Sequence, residues 1–189
     1  MLFRSQAGAI DHVWLEDGQF KCSVIGGAEA AGICGSGLVD ALAAALDAGM
    51  INARGRIQNG EHILPLTDKI FLTQEDIRQV QLAKGAIAAG IELMAAHLGL
   101  SLRQIDRVYL AGAFGTFLNP ESACRIGLLP AELAGKIQSV GNCAGSGAKL
   151  LACSTQESAR AQQLASQVEF IELAALPDFR RCFAKNTRF

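Results

Sequence analysis

The chain has 189 residues, half of them hydrophobic and 19% charged, with 17 basic against 18 acidic side chains. That composition excludes a disordered chain, and the length allows a core to form without disulfide or metal staples. A formal charge of -1 excludes a nucleic-acid domain that works through bulk positive charge. Residues 1–5 lack the apolar run of a secretory signal. The apolar stretches at 41–51 and 85–98 are broken by Asp47, Glu92 and His97, short of the ~18 uncharged residues of a membrane helix. The reading is a cytoplasmic α/β chain with no membrane or nucleic-acid partner. It is taken as one domain over 1–189, with a candidate small subdomain around 50–72.

In chain order, two strands come first, Ala9–Leu15 and Phe20–Ile25, joined through Asp17-Gly18, a hairpin turn signal. A glycine-rich connection then leads into a helix over Leu38–Ala48, stopped by Gly49. Residues 52–60 read as a surface loop. A short strand, Ile70–Leu72, precedes the longest helix, which Thr73 starts with Asp76 at capping-box spacing. Ile77, Val80, Ile87, Ile91, Met94 and Leu98 follow steps of three and four residues, which predicts a core-facing stripe that also carries Lys84.

The second half repeats a strand-then-helix pattern. Arg107–Leu110 is a strand, 112–115 a turn, and Asn119-Pro120 the cap and first position of a helix. Ile137–Val140 is a further strand, followed by a glycine turn at 141–147 and a helix from Ala148. Helix signals run through 155–167, Val168–Ile171 reads as a last strand, and Ala175–Ala184 as a closing helix interrupted by Pro177.

Three glycine-rich steps stand next to helix starts. Glycine permits positive φ and removes Cβ, so backbone N–H groups at a positively polarised helix start can reach a phosphate or a sugar. Neither the dinucleotide fingerprint nor the P-loop is present, and tight turns without a ligand fit each step taken alone. The other polar residues are bland. His12, His62 and His97 share no ligand spacing and read as surface or packing residues. Asp40, early in its helix, is accounted for by the helix dipole. Ser36 and Ser146 lack the frame of a nucleophile elbow. The six cysteines form no C-x-x-C pair and no zinc or ferredoxin spacing. They read as reduced small hydrophobes, with Cys34 set apart by its flanking glycines as a candidate for oxidation. No metal site is assigned.

Taken together, the blocks resemble a known family. They are Gly32-Ile-Cys-Gly-Ser-Gly-Leu-Val-Asp40, Gln81-Leu-Ala-Lys-Gly-Ala-Ile87, Leu110-Ala-Gly-Ala-Phe-Gly115, Gly141-Asn-Cys-Ala-Gly-Ser-Gly-Ala148 and Ile171-Glu-Leu-Ala with Pro177-Asp-Phe179. In this order they resemble the C-terminal domain of reductive activators of corrinoid-dependent methyl-transfer enzymes, from the superfamily of sugar kinases, heat-shock ATPases and actin. The resemblance implies the second lobe of an actin-like, ribonuclease H-like fold, a mixed sheet flanked by helices. It implies ATP or ADP with Mg²⁺ as ligands, and a role in returning cobalt(II) corrinoid to cobalt(I). It also implies a nucleotide site. Gly112, Ala113, Phe114 and Gly115 would lie against adenosine, and Gly35, Ser36 and Gly37 would face phosphate. Gly141 and Asn142 would belong to the same nucleotide site, ahead of a connecting helix, Ala148–Cys153, that packs at the hinge between lobes, and Lys84 would stand near the pocket. Partners implied are the corrinoid protein of a methyltransferase system and the first lobe or iron–sulfur domain of a longer parent, with a homodimer as one arrangement. An iron–sulfur cluster belongs to that parent and not to this chain. The acidic phosphate motifs of the first lobe are missing here, so the chain alone should be a poor ATPase. Two other readings stand beside this one: a docking module whose nucleotide site no longer functions, and a sugar or acid kinase.

Overall fold

A computed structural model describes residues 6–189; residues 1–5, which lack the apolar run of a secretory signal, lie outside the described part. Strand β1 (Ala9–Glu16) and strand β2 (Gln19–Val24) form the expected antiparallel hairpin, with Asp17 and Gly18 both at positive φ in the turn. A two-residue strand β3 (Gly32–Ile33) pairs parallel to β1 on its other side, giving the order β2-β1-β3.

Helix α1 (Gly35–Asp47) starts three residues before its expected position, because the Gly-Ser-Gly step is its first turn and not a loop leading to it. It lies on β1, and nine of its residues are buried. Residues 50–72 add Ile51, Ile57, Leu64 and Leu66 to the same core as Ile10, Ile33 and Leu42. Their backbone forms a small hairpin of β4 (Ile63–Pro65) and β5 (Phe71–Thr73), of which the sequence indicated only the second strand.

Helix α2 (Gln74–His97) begins at the full capping box expected of Thr73 and Asp76: the Asp76 N–H donates to Thr73 Oγ1 at 3.1 Å, and the Thr73 N–H to Asp76 Oδ2 at 2.8 Å. Its buried face differs from the expected stripe. Ile77 is buried, but Ile87, Met94 and Leu98 are exposed, and Gln81, Lys84, Gly85, Ala88, Ala89 and Ala95 are inside. A helix near the C-terminus, α7 (Phe179–Asn186), packs on that face and favours small residues there.

Strand β6 (Val108–Ala111) pairs parallel with β7 (Ile137–Gly141) in a separate two-stranded sheet. Residues 112–115, expected as a turn, are the first turn of a short helix α3 (Gly112–Phe117). Helix α4 (Pro120–Arg125) is capped as expected: Asn119 Oδ1 accepts from the N–H groups of Glu121 and Ser122. Helix α5 (Cys143–Cys153) starts five residues before Ala148, because Asn142 caps it, and α6 (Thr155–Ala165) follows behind Ser154.

Val168–Ile171 is not a strand. No neighbouring strand offers it a ladder, and Val168 and Phe170 stand exposed. Among the described residues, no helix is long and apolar enough to cross a membrane.

Candidate functional site

The site begins with the carboxyl end of β3. There Cys34 hands the chain to α1, and its N–H donates to the Ile10 carbonyl of β1 at 2.9 Å. Cys34 stands at the N-cap without a side-chain cap bond, and no acidic residue lies in the first turn. The first N–H groups of a helix have no intrahelical acceptor. Here no side chain of the cap residue supplies one.

The side of this step away from those N–H groups is committed to packing. Ser36 Oγ donates to the Asp11 carbonyl at 2.9 Å and lies 3.1 Å from Cys34 Sγ. A Cβ on Gly37 would stand 2.5 Å from the Ile10 carbonyl oxygen, so glycine is what lets α1 approach β1. Cys34 is buried beneath the step. That burial removes the access an oxidant needs.

The second step joins the first. A Cβ on Gly35 would stand 2.7 Å from the Phe114 ring, so the α1 and α3 steps are in contact. Gly112 takes φ 86° at the end of β6 and would point a Cβ into open space, while Ala113 is exposed. Gly115 is buried against Leu110, where a Cβ would meet Leu110 atoms at 3.0 Å. The β6–β7 pairing sets Ala111 opposite Gly141, so the third step, with Gly141 at φ 67°, opens beside the second. Asn142 uses Oδ1 to accept the Gly145 N–H at 2.9 Å, which makes it the cap of α5.

Lys84 is elsewhere. Its ammonium donates to the Arg188 carbonyl, lies 5.5 Å from the centre of the Phe189 ring and faces Gly127. None of these partners belongs to a glycine step. Lys84 is 2% exposed, and burial pulls its ammonium down to about 8. Among the described residues, no three His, Cys, Asp or Glu side chains converge to hold a metal ion. The residues present therefore offer no ready-made cage for a metal ion or a cluster, and no step is assigned to either.

One constellation had no signal in the sequence. His12 Nδ1 and Asp40 Oδ2 lie 2.9 Å apart, bringing together residues 28 positions apart in sequence. Only the packing of α1 across β1 unites them, and no spacing rule encodes that contact. Asp40 is therefore a buried partner of His12 and not simply a helix-dipole charge.

Parallel strands that end side by side in helix starts, with a glycine step packed under a neighbouring helix, form an α/β arrangement of the kind that gathers ligands at strand carboxyl ends. The chain belongs to the family described as the C-terminal domain of RACo, the ASKHA domain, matching it over residues 3–189. It is 34% identical to the corrinoid activation enzyme RamQ of Eubacterium limosum, a match covering all of this chain and 36% of that protein. It is also 34% identical over 116 residues to a [Co(II) methylated amine-specific corrinoid protein] reductase of Methanosarcina barkeri, covering 61% of this chain and 21% of that one. A solved reductive activator for corrinoid, iron–sulfur protein superposes with a TM-score of 0.86 at 34% identity, over 98% of this chain and 33% of that chain. The chain thus spans about a third of the length of the relatives that match it along its whole length.

Proposed function

We propose that this chain is the nucleotide-binding lobe of an ATP-dependent activator that helps reduce cobalt(II) corrinoid to cobalt(I) by one electron. The observation that carries the reading is the junction of the steps, Gly35 under Phe114 and Gly112 beside Gly141. Adenosine lies against the open backbone at Gly112 and Ala113, and the uncapped N–H groups of Gly35, Ser36 and Gly37 face phosphate. Asn142 acts indirectly, by fixing the start of α5. The electron comes from an iron–sulfur domain of the longer protein, and the corrinoid protein is the partner. ATP contributes to activation only through its different affinity for the states that bind that partner differently. Lys84 takes no part in the pocket.

Calorimetric titration of ATP, ADP and AMP into the 189-residue chain, with and without Mg²⁺, tests the reading. Binding of all three with little dependence on Mg²⁺ is the expected result. Absence of heat from a demonstrably folded chain would move a docking role to the front. That second reading has an observation of its own: Tyr109, Phe114 and Phe117 are exposed around the steps, while Ser36 and Gly37 are buried in packing. A docking module binds the corrinoid protein equally with and without nucleotide, whereas the activator lobe does not.

A further inference from the structure

One helical turn beyond Ser36, α1 carries a constellation that the nucleotide reading leaves unused. Asp40 is 5% exposed; Oδ2 pairs with His12, and Oδ1 is buried with no hydrogen-bond partner. A buried carboxylate oxygen left unpaired keeps its desolvation penalty, so such an atom calls for an explanation. Asp40 also lines a hollow of about 400 Å³, together with His12, Trp14, Asp47, Asn119 and Ser122. Two carboxylates make that lining acidic. The cation seen beside it is Arg125, whose Nε donates to the exposed Asp47 at 2.5 Å. Trp14 offers a half-exposed ring.

We propose that this hollow binds an alkyl-guanidinium group, with Asp40 as the buried anion and the Trp14 ring as its flank. The side chain of His12 is 44% exposed and is the exchangeable partner. It swings aside, the planar cation donates to both Asp40 oxygens, and its stem lies along the indole. A bare divalent ion is the poorer fit, because no three ligating side chains converge here or elsewhere among the described residues. Such a group can arrive on a free small molecule or on an arginine of a docked protein. This assignment does not depend on the nucleotide reading.

Trp14 is the chain's one tryptophan, so its fluorescence reports on this hollow. L-Argininamide is titrated into the 189-residue chain at fixed ionic strength, with L-citrullinamide as the uncharged near-isostere. The expected result is a saturating Trp14 response to argininamide, at least tenfold weaker with citrullinamide and in Asp40→Asn. Because Asp40→Asn can loosen α1, the ¹⁵N shifts of the His12 ring in the unaltered chain provide a second readout; displacement moves Nδ1. Equal responses to the two amides, no response to either, or a Trp14 response with His12 unmoved would overturn the proposal. With those conditions met, a blocked tripeptide with a central arginine that binds more tightly than argininamide assigns the site to a docked protein. Equal or weaker binding assigns it to a free small molecule.

Discussion

Gly37 and Gly147 each end a Gly-Ser-Gly run at the start of a helix, yet their surroundings differ. A methyl group on Gly37 meets the Ile10 carbonyl, backbone that cannot move without separating α1 from β1; Gly147 has nothing within 4 Å of its Cβ and no positive φ. Gly37→Ala is therefore expected to destabilise by ~1–3 kcal/mol, the usual range for overpacking. Gly147→Ala should stabilise by up to about 1 kcal/mol through helix propensity. Chemical denaturation of the two variants checks both, and equal shifts would remove the packing role given to Gly37. Lys84 is a second residue whose environment sets a sign. Its ammonium titrates at about 8 in the folded chain against 10.5 ordinarily. Between those values the unfolded chain holds the extra proton, so folding strengthens as pH rises from about 8 towards 10.5. The melting temperature of the unaltered chain should climb in that window relative to Lys84→Met. Parallel curves would show that Lys84 pays no burial penalty.

At the scale of elements, the contact of α2 with α7 shows what a one-dimensional pattern leaves out. Glu92 on α2 gathers Cys182 Sγ at 3.2 Å, Asn186 Nδ2 at 3.1 Å and Lys185 Nζ at 3.3 Å, all from α7. Burial alone would raise the Glu92 carboxyl, but the hydrogen bonds from Cys182 and Asn186 and the Lys185 ammonium outweigh it and hold it low. Burial, aided by the neighbouring Glu92, pushes the Cys182 thiol up, so that sulfur is a donor and not a nucleophile. Gly85 lets α7 lie close, since a Cβ there would be 3.2 Å from the Asn186 carbonyl oxygen. Gly85→Val should push α7 off and speed amide exchange across 179–186 at least tenfold; unchanged protection would mean that α7 is held by other contacts. The hairpin, the α2 capping box and the Asn119 cap were legible in the sequence because each is written in adjacent residues. The buried face of α2 was not, because a helix that begins 82 residues beyond its end (97 to 179) selects small residues over the larger apolar ones. Val168–Ile171 has the composition of a strand but no partner, and strand propensity reports fit to a sheet and not an independent preference. The same limit applied to the site. The glycine steps could be read as three separate turns, but their junction at Phe114 and the His12–Asp40 contact exist only once α1 crosses β1.

At the scale of the molecule, the matter is what one lobe can do without the rest of a protein about three times as long, as its relatives are. Tyr109 on β6, Phe117 on α3 and Leu150 on α5 are all exposed, and α5 buries no residue at all. A covering partner is one account of large apolar side chains left at a surface. The second half of the described chain has the composition of an interior without a full set of neighbours. Phosphoryl transfer raises the same requirement in chemical terms. It needs an in-line nucleophile, positioned groups on both sides of the phosphate and a cation to absorb developing charge. The described residues bring no three metal-binding side chains together, and the step at Gly112 offers open backbone while that at Gly35 lies under the Phe114 ring. On the reading proposed above, the groups that stabilise the transition state more than the ground state come from the rest of the longer protein. The 189-residue chain is accordingly expected to bind ATP and ADP with similar affinity and to release phosphate at the uncatalysed rate. Gly112→Val, which sets a branched side chain at φ 86° and projects it into the proposed adenosine space, should weaken binding of both nucleotides at least tenfold. Phosphate-release assays run beside calorimetry separate the two properties. Mg²⁺-dependent turnover by the chain alone, lost in Gly112→Val, would show that one lobe carries the chemistry and would overturn this division of labour.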